Sequence, residues 1–286
     1  MVVTITDVVL RDGLQDEDVI VSTGDKARIA RALHGAGVSQ LEITSFVNGA
    51  RVPQMADAAE VVAQTADIPV RRIALALNAQ GVRRAAASGV DAIQIAASAS
   101  NAHSRANAGR SSEAALEQLH EAVAEFPGIP IIAGVSTAFV CPFDGPVPLD
   151  QLMRVANQMA AMGVERISMA DTIGIATTDQ VITAVHAVRT EHPDTEIGLH
   201  LHDAQGQALR TAEAALAAGV RHFDSALGGY GGCPFAPGAH GNVATERLVS
   251  LFHQLGAETG IDPEGLAAAN VILEDALARG TKVAPI

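Results

Sequence analysis

Four times in this chain a helix-like run ends on Gly-Val and an apolar stretch begins at once: Gly37-Val38, Gly89-Val90, Gly163-Val164 and Gly219-Val220. A glycine can take the left-handed conformation that stops a helix, and the short turn that follows feeds directly into a strand. Reading outward from these four points, the periodicity predicts strands over residues 4–10, 39–46, 71–77, 90–97, 164–170, 195–202 and 220–227, with another inside 129–139. Helical patterns fill the gaps, over 25–36, 54–65, 80–88, 113–126, 149–162, 179–191, 207–218 and 244–255, with a further helix from 262. Strands that alternate with helices form a parallel sheet, and eight such units point to a closed (β/α)8 TIM barrel. The alternative is an open doubly wound sheet; it is disfavoured because no G-x-G-x-x-G follows the first strand. No linker or low-complexity segment interrupts the pattern. The expectation is therefore one α/β catalytic domain over 1–286, with a C-terminal helical extension at about 257–286.

Composition narrows the function. Hydrophobic residues make up 48% of the chain and aromatics only 3%, as alanine-rich helices would give. The net charge of −13 argues against nucleic acid and anionic membranes as partners. Only two cysteines occur, Cys141 and Cys233, so a disulfide framework is not expected and a reducing cytoplasm fits. Neither a leader peptide nor a membrane-length apolar run is seen.

In such a barrel the chemistry gathers at the C-terminal ends of the strands. The seventh strand ends in His200-Leu201-His202, and the period-2 rule puts both imidazoles on one face. Closure of the barrel makes strands 7, 8 and 1 neighbours, so Asp12, His200, His202 and Asn242 are expected to converge on the rim. One carboxylate, two imidazoles and an amide oxygen form a mixed N/O set without thiolates. It suits Mg²⁺ or Mn²⁺ best, with Zn²⁺ or Co²⁺ as alternatives. Taken singly, Asp12 is a turn residue before Gly13 and Asn242 a helix cap; it is the combination with His-x-His that points to metal.

Arg11 adjoins Asp12, and Glu42 lies one strand over between Leu41 and Ile43. A charge in so apolar a strand needs a partner. An Arg11–Glu42 pair would supply it, either as a plain ion pair or as a rigid mount for an oxyanion-stabilising guanidinium. Gln15, Ser45, Asn78, Thr137 and Thr172 fall at strand exits and are expected to line the substrate site, and Asp171 there is a candidate proton acceptor. The glycine-rich stretch from Gly228 to Asn242 reads as a lid or an anion cradle, and Cys233 in it as a proton donor or a small apolar residue.

The motifs Leu10-Arg-Asp-Gly-Leu-Gln15, Leu41-Glu-Ile-Thr-Ser-Phe46, Val52-Pro-Gln-Met55, Asp171-Thr-Ile-Gly174, His200-Leu-His-Asp203, Gly231-Gly-Cys-Pro234 and Gly241-Asn242 resemble, in order, those of the 3-hydroxy-3-methylglutaryl-CoA lyase family. Arg-Asp-Gly and His-x-His alone would indicate the wider superfamily that includes isopropylmalate and homocitrate synthases. The resemblance implies a barrel, a divalent cation, homodimers or higher oligomers, and cleavage of an acyl-CoA to acetyl-CoA and acetoacetate. It implies Asp12, His200, His202 and Asn242 as metal ligands, Arg11 as oxyanion stabiliser, Glu42 as its partner and Cys233 as the acid of a mobile loop. Two positions depart from the family pattern: Asp18 and Gln80 stand where CoA-using members often carry lysine, which leaves either Arg51, Arg83, Arg84 or Arg105 as replacement cations, or a variant acyl-CoA or a free acid as the substrate. The expected activity is a metal-dependent retro-Claisen lyase. Alternatives are a Claisen-type condensing enzyme or aldolase of the same superfamily, and an inactive metal-binding scaffold.

Overall fold

The strands form in the expected order and close on themselves. In the computed structural model, which describes residues 1–232 and 241–283, they are β1 (Thr4–Asp7), β2 (Gln40–Ser45), β3 (Arg71–Ala76), β4 (Ala92–Ser98), β5 (Ile131–Ser136), β6 (Arg166–Asp171), β7 (Glu196–Leu201) and β8 (His222–Ser225). Each pairs in parallel with its sequence neighbours, and β8 pairs with β1, so the barrel is closed. The helices are α1 (Thr23–Gly35), α2 (Ala58–Gln64), α3 (Ala79–Ser88), α4 (Asn101–Ala108), α5 (Ser112–Ala124), α6 (Leu149–Ala160), α7 (Thr178–Glu191), α8 (Ala208–Ala217), α9 (Thr245–Gln254) and α10 (Pro263–Arg279). Among the described residues no helix is long and apolar enough to cross a membrane.

The four Gly-Val junctions behave as expected. Gly37, Gly89, Gly163 and Gly219 have φ of 92°, 81°, 73° and 95°, a region that penalises any side chain. Gly37 is also pressed against the C-terminal segment: a Cβ there would lie 2.1 Å from the Gly260 carbonyl oxygen. Just beyond, the Asp262 amide donates to the Ala36 carbonyl at 2.8 Å, and α10 lies along α1.

Two local features differ from the sequence reading, and both shape the rim. β1 stops at Asp7, three residues short of the expected end, and Val9–Gly13 forms a single π-helical turn. Asp7 drives the turn by accepting from the Val9 amide at 2.9 Å, and the Val8 carbonyl then collects the amides of Arg11, Asp12 and Gly13. Without that turn Arg11 and Asp12 would point to opposite faces of an extended strand. Helix α4 was not expected. Its apolar content is low, but Ser100 caps it by accepting from the His103 amide at 3.2 Å, and the capped turn carries His103 and Asn107 to the barrel mouth.

Candidate active site

His200 leaves β7 pointing inward, and His202 follows two residues on. Their Nε2 atoms come within 3.1 Å of each other. The Asp12 Oδ2 atom lies 3.8 Å from the first and 3.7 Å from the second. The three ligand atoms thus fall within 4.8 Å of one another, close enough for one ion. Asn242 arrives from 230 residues away in sequence: its Nδ2 donates to Asp12 Oδ2 at 2.7 Å and to the Tyr230 carbonyl at 3.0 Å. Its Oδ1 is buried with no hydrogen-bond partner among the described residues. A buried amide oxygen is normally satisfied, and a cation beside Asp12 would satisfy this one. On this ground the residues fit a hard or borderline divalent ion. Gly231, at φ 108°, makes the approach possible, since a Cβ there would sit 2.6 Å from the Asn242 amide nitrogen.

Arg11 is held from two sides. Its Nε donates to Glu42 Oε2 at 2.7 Å, a second guanidinium nitrogen lies 2.6 Å from the same oxygen, and a third bonds Asp12 Oδ1. All three side chains are buried. Burial opposes the guanidinium charge, but Asp12 and Glu42 outweigh it and hold Arg11 protonated far above neutral pH. Burial likewise opposes the Asp12 charge; Arg11, the two histidines and Asn242 overcome it and keep the carboxyl well below the usual range. For Glu42 burial wins over Arg11, and its pKa is raised.

The remaining expected residues divide by position. Gln15 and Thr172 line the same cavity as the histidines, and the Thr172 hydroxyl accepts from the Thr137 amide at 2.7 Å. Thr137 itself is fully buried at φ 47°, its hydroxyl 2.7 Å from that of Ser98, so it shapes the wall from behind. Ser45 is buried outside the lining. Asn78 caps α3 by accepting from the Gly81 amide at 2.9 Å and borders an adjoining outer cleft. Asp171 stands at the end of β6, next to the lining residues Ala170 and Thr172, and its carboxylate accepts from the Ile175 and Ala176 amides at 3.3 and 3.0 Å. Burial pushes it up to about 6 against those backbone donors. Cys233 lies outside the described residues.

The outer cleft shares Gln15, Leu77 and Asn107 with the inner cavity and continues past Asn48, Arg51, Gln80 and Arg110. Of the four replacement cations, Arg51 borders it. Arg83 pairs with Glu125 at 2.5 Å, and Arg84 lies over the Phe46 ring with its carbon 5.3 Å from the centroid. Arg110 was not anticipated there.

One carboxylate in the inner cavity also escaped the sequence reading. Asp224, on β8 level with His200, has its Oδ2 3.4 Å from the His200 Nδ1. The signal was the one that exposed Glu42, an acidic residue inside a buried strand (Phe223-Asp224-Ser225).

A sequence model described as HMGL-like matches residues 2–272. The chain belongs to the HMGL-like family. Over 263 residues it is 39% identical to the cytoplasmic 3-hydroxy-3-methylglutaryl-CoA lyase of Rattus norvegicus, covering 91% of this chain and 77% of that protein. The HMG-CoA lyase structure from Brucella melitensis superposes with a TM-score of 0.91 at 38% identity, over 97% of this chain and 99% of that one. An HMG-CoA lyase from Acinetobacter baumannii in complex with coenzyme A and 3-methylmalate gives a TM-score of 0.91 at 31% identity, over 100% and 98%. Closed barrel, alternating helices and C-terminal helix are common to this family and this chain.

Proposed function

We propose that this chain, acting as one catalytic unit, is a divalent-metal-dependent carbon–carbon lyase that cleaves 3-hydroxy-3-methylglutaryl-CoA, or a related 3-hydroxy-3-alkylglutaryl-CoA, to acetyl-CoA and acetoacetate or the corresponding 3-oxo acid. The observation that carries the reading is the joining of two assemblies through one residue: Asp12 belongs both to the metal-binding triad and to the Arg11–Asp12–Glu42 charge cluster.

Asp12, His200, His202 and Asn242 would hold the cation, which when bound polarises oxygen atoms of a chelating hydroxy acid. Mg²⁺ or Mn²⁺ agrees best with the N/O donor set. In the reaction the tertiary hydroxyl gives its proton to a carboxylate, for which Asp171 is the candidate, the C2–C3 bond breaks, the hydroxyl oxygen becomes the ketone, and the electron pair moves onto the thioester as an enolate. Arg11 meets that enolate oxygen; Glu42 and Asp12 remove its rotational freedom beforehand, so little reorganisation accompanies the charge shift. Cys233, by family resemblance, gives the enolate carbon its proton. Gln15 and Thr172 contact the acyl chain, and Asn78 with Arg51 and Arg110 accompanies the CoA arm along the outer cleft, compensating for Asp18 and Gln80. The CoA bound to the Acinetobacter baumannii relative supports an acyl-CoA substrate here. A cytoplasmic location accords with the cytoplasmic rat relative. We also take the chain to form a homodimer, as the resemblance implies.

The decisive experiment is incubation of the protein with Mg²⁺ or Mn²⁺ and 3-hydroxy-3-methylglutaryl-CoA. Equal amounts of acetyl-CoA and acetoacetate are expected, abolished by EDTA and restored by added metal. Failure to turn over any 3-hydroxy-3-alkylglutaryl-CoA, with condensation of acetyl-CoA and a 2-oxo acid in its place, would overturn the reading in favour of a synthase.

A further inference from the structure

Beneath the metal-binding triad the barrel holds a second polar layer that the lyase reaction does not use. Asp224 is buried, and its Oδ2 faces both the His200 Nδ1, at 3.4 Å, and the Ser168 hydroxyl, which donates at 3.4 Å. One layer lower, Arg166 is 1% exposed and fills the barrel interior. It fits there because β7 carries Gly198: a Cβ at that position would lie 3.1 Å from the Arg166 Cδ and 3.2 Å from the Ser168 oxygen. One Arg166 guanidinium nitrogen meets the His222 Nδ1 at 3.0 Å, while the His222 Nε2 lies 2.9 Å from Glu196 at the outer end of the barrel.

A histidine has two ring nitrogens, and only an unprotonated one can ligate. A carboxylate that holds the proton on Nδ1 leaves the Nε2 lone pair free and fixes the plane of the ring. His200 turns its Nε2 toward His202 and Asp12 and its Nδ1 toward Asp224. We infer that Asp224 is the positioning residue for the metal ligand His200, holding the ring through its Nδ1 edge while Nε2 faces His202 and Asp12. The inference rests on the metal reading above. The Gly198 gap that admits Arg166 places a buried guanidinium in the layer below Asp224 and Ser168.

The test measures Mn²⁺ binding by electron paramagnetic resonance of the free ion, in wild type, Asp224→Asn and Asp224→Glu. Asp224→Glu keeps an acidic side chain in the barrel interior but moves its carboxyl group away from Nδ1. Both variants are expected to bind Mn²⁺ about 10- to 100-fold more weakly, as for other outer partners of metal-bound histidine. The KM for 3-hydroxy-3-methylglutaryl-CoA at saturating Mn²⁺ should stay near the wild-type value. In ¹⁵N spectra of the Mg²⁺-loaded protein, His200 should carry its proton on Nδ1 in wild type, and both variants should lose that signature in part. A purely structural role would lower the melting temperature without changing the Kd of the folded fraction. If wild type binds Mn²⁺ at its triad and folded Asp224→Glu binds it within twofold as tightly, the positioning role is wrong while the metal site stands. If wild type binds no Mn²⁺, both fall.

Discussion

The Arg11 guanidinium donates to Glu42 Oε2 at 2.7 Å across a barrel staves' gap, from the turn after β1 to the middle of β2. Glu42 is 1% exposed and Arg11 7%, so solvent hardly screens the pair, and Arg11 cannot swing out of the site without leaving a buried carboxylate behind. The guanidinium position is thus set before any substrate arrives.

Replacing Arg11 should therefore remove chemistry rather than binding. Arg11→Met is expected to lower kcat by about 10²-fold or more, as for a lost oxyanion donor. Its effect on Mn²⁺ affinity should be far smaller than that of His202→Ala. Steady-state kinetics beside Mn²⁺ titration checks both; near wild-type kcat in Arg11→Met would remove Arg11 from the mechanism.

Metal dependence should follow the triad. His202→Ala is expected to weaken Mn²⁺ binding strongly and to recover part of its activity only at high metal concentration, because one of three converging donors is gone. A variant that binds Mn²⁺ like wild type would place the metal elsewhere.

Asp7 should make stability fall with rising pH. Burial pushes its carboxyl from 3.8 up to about 7, against hydrogen bonds from Thr245 and the Val9 amide. Between those two values the folded chain keeps a proton that the unfolded chain has lost, so stability declines as pH rises through the window and levels off above it. The contribution is at most about 4 kcal/mol. In Asp7→Asn the decline should be shallower. Urea unfolding of both proteins at pH 5 and pH 8 tests this, and parallel pH profiles would contradict it.

Two of the helix-ending glycines should differ in what they tolerate. At Gly89 a Cβ meets nothing within 4 Å, so Gly89→Ala carries only the left-handed backbone strain, about 1–2 kcal/mol. At Gly37 the same Cβ also collides with the Gly260 carbonyl, so Gly37→Ala should lower the melting temperature considerably more. Equal shifts would mean that the C-terminal segment yields freely.

The cysteines offer a chemical test of the proton donor. Cys141 is buried with its sulfur 3.0 Å from the Ser100 hydroxyl, and should resist alkylation. Iodoacetamide is expected to inactivate the enzyme through Cys233, with substrate protecting it, and Cys233→Ser should bind metal normally but turn over slowly. Full activity in Cys233→Ser would leave the enolate proton to another group.

How much of this was legible in the chain itself depends on the range of each interaction. The barrel followed from local rules: period-2 and period-3.6 patterns, and glycines that must adopt positive φ between a helix and a strand. The placing of His200 beside His202 followed too, since two residues apart on a strand share a face whatever surrounds them. Glu42 was found because its apolar neighbours marked it as a buried charge in need of a partner. Tertiary structure decided the rest. Asp171 and Asp224 look alike in sequence, each near the end of a buried strand, yet backbone amides after β6 claim the first while His200 and Ser168 meet the second. The turn that aims Arg11 and Asp12 depends on Asp7, itself held by Thr245 from the start of α9. The Asn242 amide meets Asp12 only because 230 residues of chain close into a ring and bring the two together. Contacts within one turn or one strand are written in neighbouring residues; contacts made by closing a barrel depend on register and side-chain direction, which no single segment contains.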